Sequence, residues 1–420
     1  MSNLRLLIFD PELTSIAGHP FEYNRAVAAV TRRRGVHTTV MAHKGFAGAG
    51  YLEKEGVTVD PGISRSPWLG DYLRFADRGL VFEHIGILAQ ALSNFRDIRR
   101  HLAGRRYDSL FIPGTNLADV LTCYLLSLCG LFRSVDQLIL LLRYDILDHS
   151  RPDPVPARKL IVWRWLFALF GKRIARGQVR LLADSPRLAA DYLRVTGKQL
   201  TPISWPREMA PRSLQRETDG FVLTFGMTGV ARLEKGIDLL LDAAAQIVAS
   251  SAAPGARFLV QFDRPVELPD GSTYQPDAAL LASSRVEILD HELSPDEYLD
   301  ALERIDCMVL PYRAQFYRAR ASAVAIEAAG MGTPMIYTQD CWLEDFVSEQ
   351  GAGVAVVNED VASLSNAILT VMAEWPRISA DAAERGVIAR QRNDGEAFLT
   401  TLFGRPLSGD IPVDADRRAA

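Results

Sequence analysis

An α/β protein built as two Rossmann-like domains with a cleft between them is what this sequence predicts, and three observations predict it. Short apolar runs bounded by turn residues alternate with helical patterns. The alternation stops once, at the polar, proline-bearing stretch PREMAPRSLQRETDG (206–220), and then restarts in the same rhythm. The length, 420 residues, suits two domains better than one core.

In order, the first half reads as strand LRLLIFD, helix EYNRAVAAVTRRR, strand VHTTVMAH, strand SLFIPG, a helix over 117–132, strand QLILLLR, strand VRLLADS and helix PRLAADYLRVTG. Most of the strand runs are apolar at their centres, as strands buried on both faces of a parallel sheet must be. The second half reads as strand FVLTFGM, helix KGIDLLLDAAAQIVAS, strands ARFLVQF and RVEILD, helix SPDEYLDALERI, strand CMVLPY, helix AVAIEAAGMG, and strands PMIYT and GVAVV. The expected boundaries are 1–205 for the first domain, 206–218 for a linker and 219–375 for the second domain. C-terminal helices that can return to the first domain follow at 376–404, and 405–420 is a loose tail.

Composition excludes several classes. Hydrophobic content of 48% with 23% charged residues describes a soluble globular chain, and a net charge of −4 with a pI near 6.0 gives no reason to expect nucleic acid. Cys123, Cys129, Cys307 and Cys341 lack CxxC spacing, so metal and disulfide readings are weak and reduced cytoplasmic thiols fit best. The run DVLTCYLLSLCGLF (119–132) is shorter than the ~20 residues of a membrane span and reads as a buried helix; no secretion signal is visible.

In open parallel sheets, ligands bind beyond the carboxyl ends of the strands. Two such loops in the second half are unusual. FGMTGVARLEKGIDLL (225–240) sets Gly229, Arg232 and Lys235 just before an amphipathic helix, a pattern suited to a diphosphate and equally to a solvated turn. LPYRAQFYRARASAVAIEAAGMGTPMI (310–336) ends a strand at Tyr312, runs through Arg318 and Arg320, and opens a helix near Ser322 and Ala323 that Gly330, Gly332 and Pro334 end. Glu327 stands inside that helix among alanines. A carboxylate so placed must reach solvent, a partner such as a neighbouring arginine, or a ligand's hydroxyls.

Together these loops resemble the nucleotide-sugar domain of retaining GT-B glycosyltransferases, family four in the usual classification. The matching residues are Arg232 with Lys235-Gly236, Leu310-Pro311-Tyr312, Glu327, and Gly332-Thr333-Pro334-Met335-Ile336. SPDEYLDALERIDCMVLPY and the RLLADS strand extend the resemblance over most of 179–375. It implies a GT-B fold and transfer of a sugar from a nucleotide-diphosphate sugar to a glycan, lipid-linked or small-molecule acceptor. It also implies retention of anomeric configuration and no required metal or other cofactor. Arg232 and Lys235 would be catalytic, neutralising the leaving diphosphate, with Gly229, Glu327 (on the ribose), Ser322, Ala323, Arg320 and Tyr312 binding the donor. The sequence departs from the pattern at Ala319, where the first Glu of the family's E-x7-E pair belongs, and in a shorter Arg-to-Lys spacing. The segment from Tyr312-Arg313 to Arg320 reads as a replacement loop.

In the first half, Gly18 and His19 lie where the first strand feeds the first helix; for His19, helix capping and catalytic contact with substrate are both open. Arg143 and Asp145 occupy another strand-end loop on the expected acceptor side. Residues 151–180 hold eight Arg/Lys and one acid, with Trp163, Trp165, Phe167 and Phe170 among them. That suits a peripheral contact with an anionic membrane surface at its cytoplasmic face, or a domain helix with one solvated side. Two rivals to the enzyme are a non-catalytic glycosyltransferase-like nucleotide-binding protein and a subunit of a polysaccharide assembly complex.

Overall fold

The apolar strands form two all-parallel sheets, one in each half of the chain. The computed structural model describes residues 4–16, 18–67, 80–147, 157–207, 209–212, 222–250 and 252–407, without the side chains of 80–84 and 157–160. Arg151, Asp153, most of the expected linker and the end of the tail lie outside the described residues. The chain divides into two units, residues 1–206 with 395–420 and residues 207–394.

Unit 1 runs β1 (Arg5–Phe9), α1 (His19–Arg33), β2 (His37–His43), α2 (Ala49–Lys54), β3 (Thr58–Ile63) and α3 (Leu80–Leu102). It continues through β4 (Tyr107–Ile112), α4 (Leu117–Leu128), β5 (Val135–Leu142), α5 (Ala157–Leu169), α6 (Gly171–Ala175), β6 (Val179–Ala183), α7 (Pro186–Thr196) and β7 (Thr201–Pro202). The seven strands lie in the order β3-β2-β1-β4-β5-β6-β7. β1 lies inside the sheet, between β2 and β4, and Leu6, Leu7, Ile8 and Phe9 are wholly buried, which is why that stretch carries no polar alternation.

Unit 2 runs β8 (Leu223–Met227), α8 (Ile237–Ala249), β9 (Ala256–Gln261), α9 (Ala278–Leu281), β10 (Val286–Leu289), α10 (Pro295–Arg304) and β11 (Cys307–Leu310). Then come α11 (Ala314–Tyr317), α12 (Ala323–Met331), β12 (Met335–Thr338), α13 (Trp342–Gln350), β13 (Gly353–Val356) and α14 (Val361–Arg392); α15 (Gly395–Phe403) belongs to unit 1. The six strands lie in the order β10-β9-β8-β11-β12-β13. The strand order reverses at β8/β11, so the loops after these two strands flank the crevice where ligands of such sheets sit.

Local chemistry explains the helix ends. Asn116 and Asp119 cap α4 reciprocally, as Ser294 and Glu297 cap α10. Ser185 caps α7 ahead of Pro186, and Gly197 ends it in the left-handed region. The expected boundary at 375 falls inside α14, which bends at Glu374 beside Pro376 and stays in unit 2. The stretch read as a linker is partly structural: Arg212 pairs with Asp306 at 3.0 Å, while the other Asp306 oxygen accepts from the Thr224 amide at 2.8 Å.

Arg313 ties three strand-end loops together. Its Nη1 and Nη2 reach Asp238 at 3.0 and 2.7 Å, its Nε reaches Glu359 at 2.5 Å, and Nη1 also donates to the Leu233 carbonyl. Within the segment from Tyr312 to Arg320, Arg313 is therefore the scaffolding residue. Arg313→Ala strands the buried Asp238 carboxylate and is expected to cost about 3–5 kcal/mol in denaturant unfolding. A loss under about 1 kcal/mol would show that the tie is not structural.

Candidate active site

In unit 2 the glycine loop after β8 is braced from β9. Gln261 Oε1 accepts from the Gly229 amide at 2.7 Å and Asp263 Oδ1 from the Ala231 amide at 2.8 Å. The Gly229 amide is thus already used, and the role of this glycine is space. At φ +86, a Cβ built on it would stand 2.8 Å from Lys235 Nζ and 4.0 Å from Val324 in the first turn of α12. Gly236, at φ +70, lets the chain pass against the Pro311 carbonyl, and this brings Lys235 inward.

Lys235 is only 8% exposed. Burial, with Arg232 and Arg320 nearby, lowers its pKa from 10.5 to about 7, against the opposing pull of Glu234 and Asp263. Arg232 is half-exposed rather than clamped. It and Arg320 share one oxygen of Glu234, at 3.3 and 3.0 Å. Arg320 also lies over the Tyr317 ring. Ser322 caps α12 by accepting from the Ala325 amide at 3.3 Å, with Ala323 as the first helical residue. Tyr312 is buried beneath this turn, its hydroxyl 3.4 Å from that of Ser322, so it supports the helix start from below. The structure brings Gly229, Lys235, Arg320 and the α12 N-terminus together, a set that suits an anion.

Glu327, 4% exposed, is paired on both oxygens: Arg207 Nε lies 2.8 Å from Oε1, and the Tyr298 hydroxyl donates to Oε2. Of the fates open to it in the sequence, a neighbouring arginine is the one present. This pairing fixes the direction in which the Glu327 carboxylate faces. Sequence reading missed Arg207 and Tyr298 because one lies in the apparent linker and the other on an ordinary amphipathic helix. Ala319 is fully buried.

In unit 1, the carboxyl edge of the sheet carries a second cluster. The Arg143 guanidinium lies 4.9 Å from the Tyr23 ring centre and 5.1 Å from that of Trp205, with Asp184 at 3.5 Å. His19, exposed as the first residue of α1 behind Gly18 (φ +84), meets Trp205 edge-on at 5.7 Å. Asp10, buried at the end of β1, accepts from Asn24 at 2.6 Å, and burial beside Glu12 raises its pKa to about 7. The Tyr144 hydroxyl donates to Glu12, and Asp145 is exposed in the same loop. Gly18, His19, Arg143 and Asp145 therefore lie along one edge of one sheet.

Comparison with known proteins places the fold and the domain. The structure resembles sucrose-phosphate synthase of Thermosynechococcus elongatus (TM-score 0.62, 18% identity, 94% of this chain and 96% of that one). It also resembles Alr3699/HepE of Anabaena in complex with UDP-glucose (TM-score 0.64, 14% identity, 95% and 98%). The protein has the GT-B fold. Residues 222–374 match the family described as Glycosyl transferases group 1, so unit 2 carries a domain of that family. A curated relative, D-inositol 3-phosphate glycosyltransferase of Rhodococcus opacus (strain B4), is 32% identical over 187 residues, 42% of this chain and 39% of the relative's length.

The depressed lysine has a measurable sign. Below pH 7 the folded protein carries a buried ammonium; from pH 7 to 10.5 the unfolded state binds the extra proton, so this group's contribution to stability rises with pH. Lys235→Met is expected to be more stable than the parent near pH 7, with the gap narrowing towards pH 10. Parallel unfolding curves at all pH values would place Lys235 in solvent.

Proposed function

We propose that this protein transfers a sugar from a nucleotide-diphosphate sugar to a hydroxyl acceptor, with retention of anomeric configuration and without a bound metal. The observation that carries the reading is the convergence of buried Lys235, spacious Gly229 and the α12 N-terminus at the β8/β11 switch point. A departing diphosphate gains negative charge as the glycosidic bond breaks, so the Lys235 ammonium, Arg320 and the helix amides stabilise the transition state more than the bound donor. Anion binding favours charged Lys235, so donor binding near pH 8 is expected to take up a proton. Arg232, half-exposed, contributes less than Lys235. Glu327, held by Arg207 and Tyr298, accepts from the donor's ribose hydroxyls. His19, Arg143 and Asp145 of unit 1 face the acceptor in this reading, whether glycan, lipid-linked or small molecule.

The first test is turnover of UDP-, GDP- and ADP-sugars by the purified protein, with UDP-glucose tried first and the anomeric outcome read by NMR. Lys235→Ala is expected to lower kcat/KM by about 10- to 100-fold, the value of one charged contact. Unchanged kcat/KM removes the phosphate role. Buried Ala319 favours a second reading, a nucleotide-binding protein without turnover, and saturable nucleotide binding with no transfer or donor hydrolysis supports that reading instead.

Glu327→Gln weakens both its ion pair and its bonds to ribose. Nucleotide affinity is expected to fall by about 10- to 100-fold, and the melting temperature by several degrees. A lower melting temperature with intact affinity would leave Glu327 purely structural.

A further inference from the structure

One helical face of unit 1 is banded in charge. α3 and α5 are crossover helices of the same parallel sheet, so they run in the same direction, and α4 packs against both. On α3, Ile85, Leu88 and Leu92 are exposed, and their spacing puts them on the face that Arg96 and Arg99 continue. On α5, Ile161 is 63% and Trp165 58% exposed, one turn apart, and exposed Lys172 and Arg176 follow. α3 therefore presents apolar side chains first and cations after, and the exposed apolar pair of α5 is followed by the cations of α6 and its C-terminal end. Among the residues of α3–α6 whose side chains are described, the carboxylates are Asp97 and Asp119, both buried.

Not every cation of this basic stretch faces out. Arg164 Nε donates to the Val195 carbonyl at 2.5 Å, Arg173 lies over the Phe132 ring at 4.5 Å, and Arg180 donates to the Thr401 carbonyl at 2.9 Å. These three are engaged by neighbouring groups of the protein, with Arg173 and Arg180 half-buried, which narrows the sequence expectation to fewer residues and adds α3 to it. No described helix is long and apolar enough to cross a membrane.

We propose that the outer face of α3, α5 and α6 docks on an anionic lipid bilayer. Ile85, Leu88, Ile161 and Trp165 enter the acyl boundary, and Arg96, Arg99, Lys172 and Arg176 meet headgroup phosphates. An apolar band adjoining a cationic one, with no described exposed carboxylate, matches the layering of such a surface. A second copy of the chain fits less well, because a two-fold contact sets like charges against each other. The proposal does not depend on sugar transfer.

The test is flotation of the full chain with phosphatidylcholine vesicles, with and without about one-third phosphatidylglycerol. Binding is expected only with the anionic lipid, and to be lost in about 0.5 M salt. The pair Ile161→Ser/Trp165→Ser and the pair Arg96→Glu/Arg99→Glu are each expected to lower partition by about tenfold or more at unchanged melting temperature. The proposal is overturned by equal recovery with both lipids, by no binding at all, or by stably folded variants that float like the parent. A dimer in solution that Trp165→Ser dissociates would assign the face to a second copy instead.

Discussion

The arrangement of unit 2 depends on the guanidinium of Arg313. It joins Asp238 at the start of α8, the carbonyl of Leu233 and Glu359 after β13, so the loops after β8, β11 and β13 share one node. Its own amide donates to the Glu234 carbonyl at 3.0 Å, and the next amide, of Ala314, to Asn358 at 2.8 Å. A bidentate arginine suits this task because its planar fork fixes direction as well as charge. The turn that carries Lys235 inward, Leu233 to Gly236, hangs directly from this node.

That rigidity is what allows a lysine to stay buried. An ammonium on a flexible loop would swing to water, and its pKa would return to the ordinary range. Held beside Arg232 and Arg320, Lys235 has its pKa lowered by burial to about 7. Glu327 shows the complementary design. Its carboxylate is held within the protein by Arg207 and Tyr298, which fix its orientation.

The edge of unit 1 has different electrostatics. Arg143 sits between two aromatic faces with Asp184 beside it, and buried Asp10 is pushed towards neutrality. Acids and aromatic rings dominate there, whereas cations and helix amides dominate the switch point of unit 2. The two sheets share a topology rule and have been given different chemistry at their carboxyl ends.

The sequence by itself determined the two α/β halves, every strand except the edge strands β3 and β7 of unit 1, the end of α12 at Gly332 and the loops that carry Gly229, Lys235 and Ser322. These are legible because hydrophobic periodicity, glycine conformation and capping residues act over a few positions in sequence. Tertiary structure decided what those side chains meet. That Glu327 pairs with Arg207 and Tyr298, that Arg313 turns to Asp238, and that Lys235 is buried all depend on contacts between segments far apart in the chain. A local pattern cannot specify them, since burial and charge pairing are set by the strands' order in the sheet, and only folding fixes which loops become neighbours.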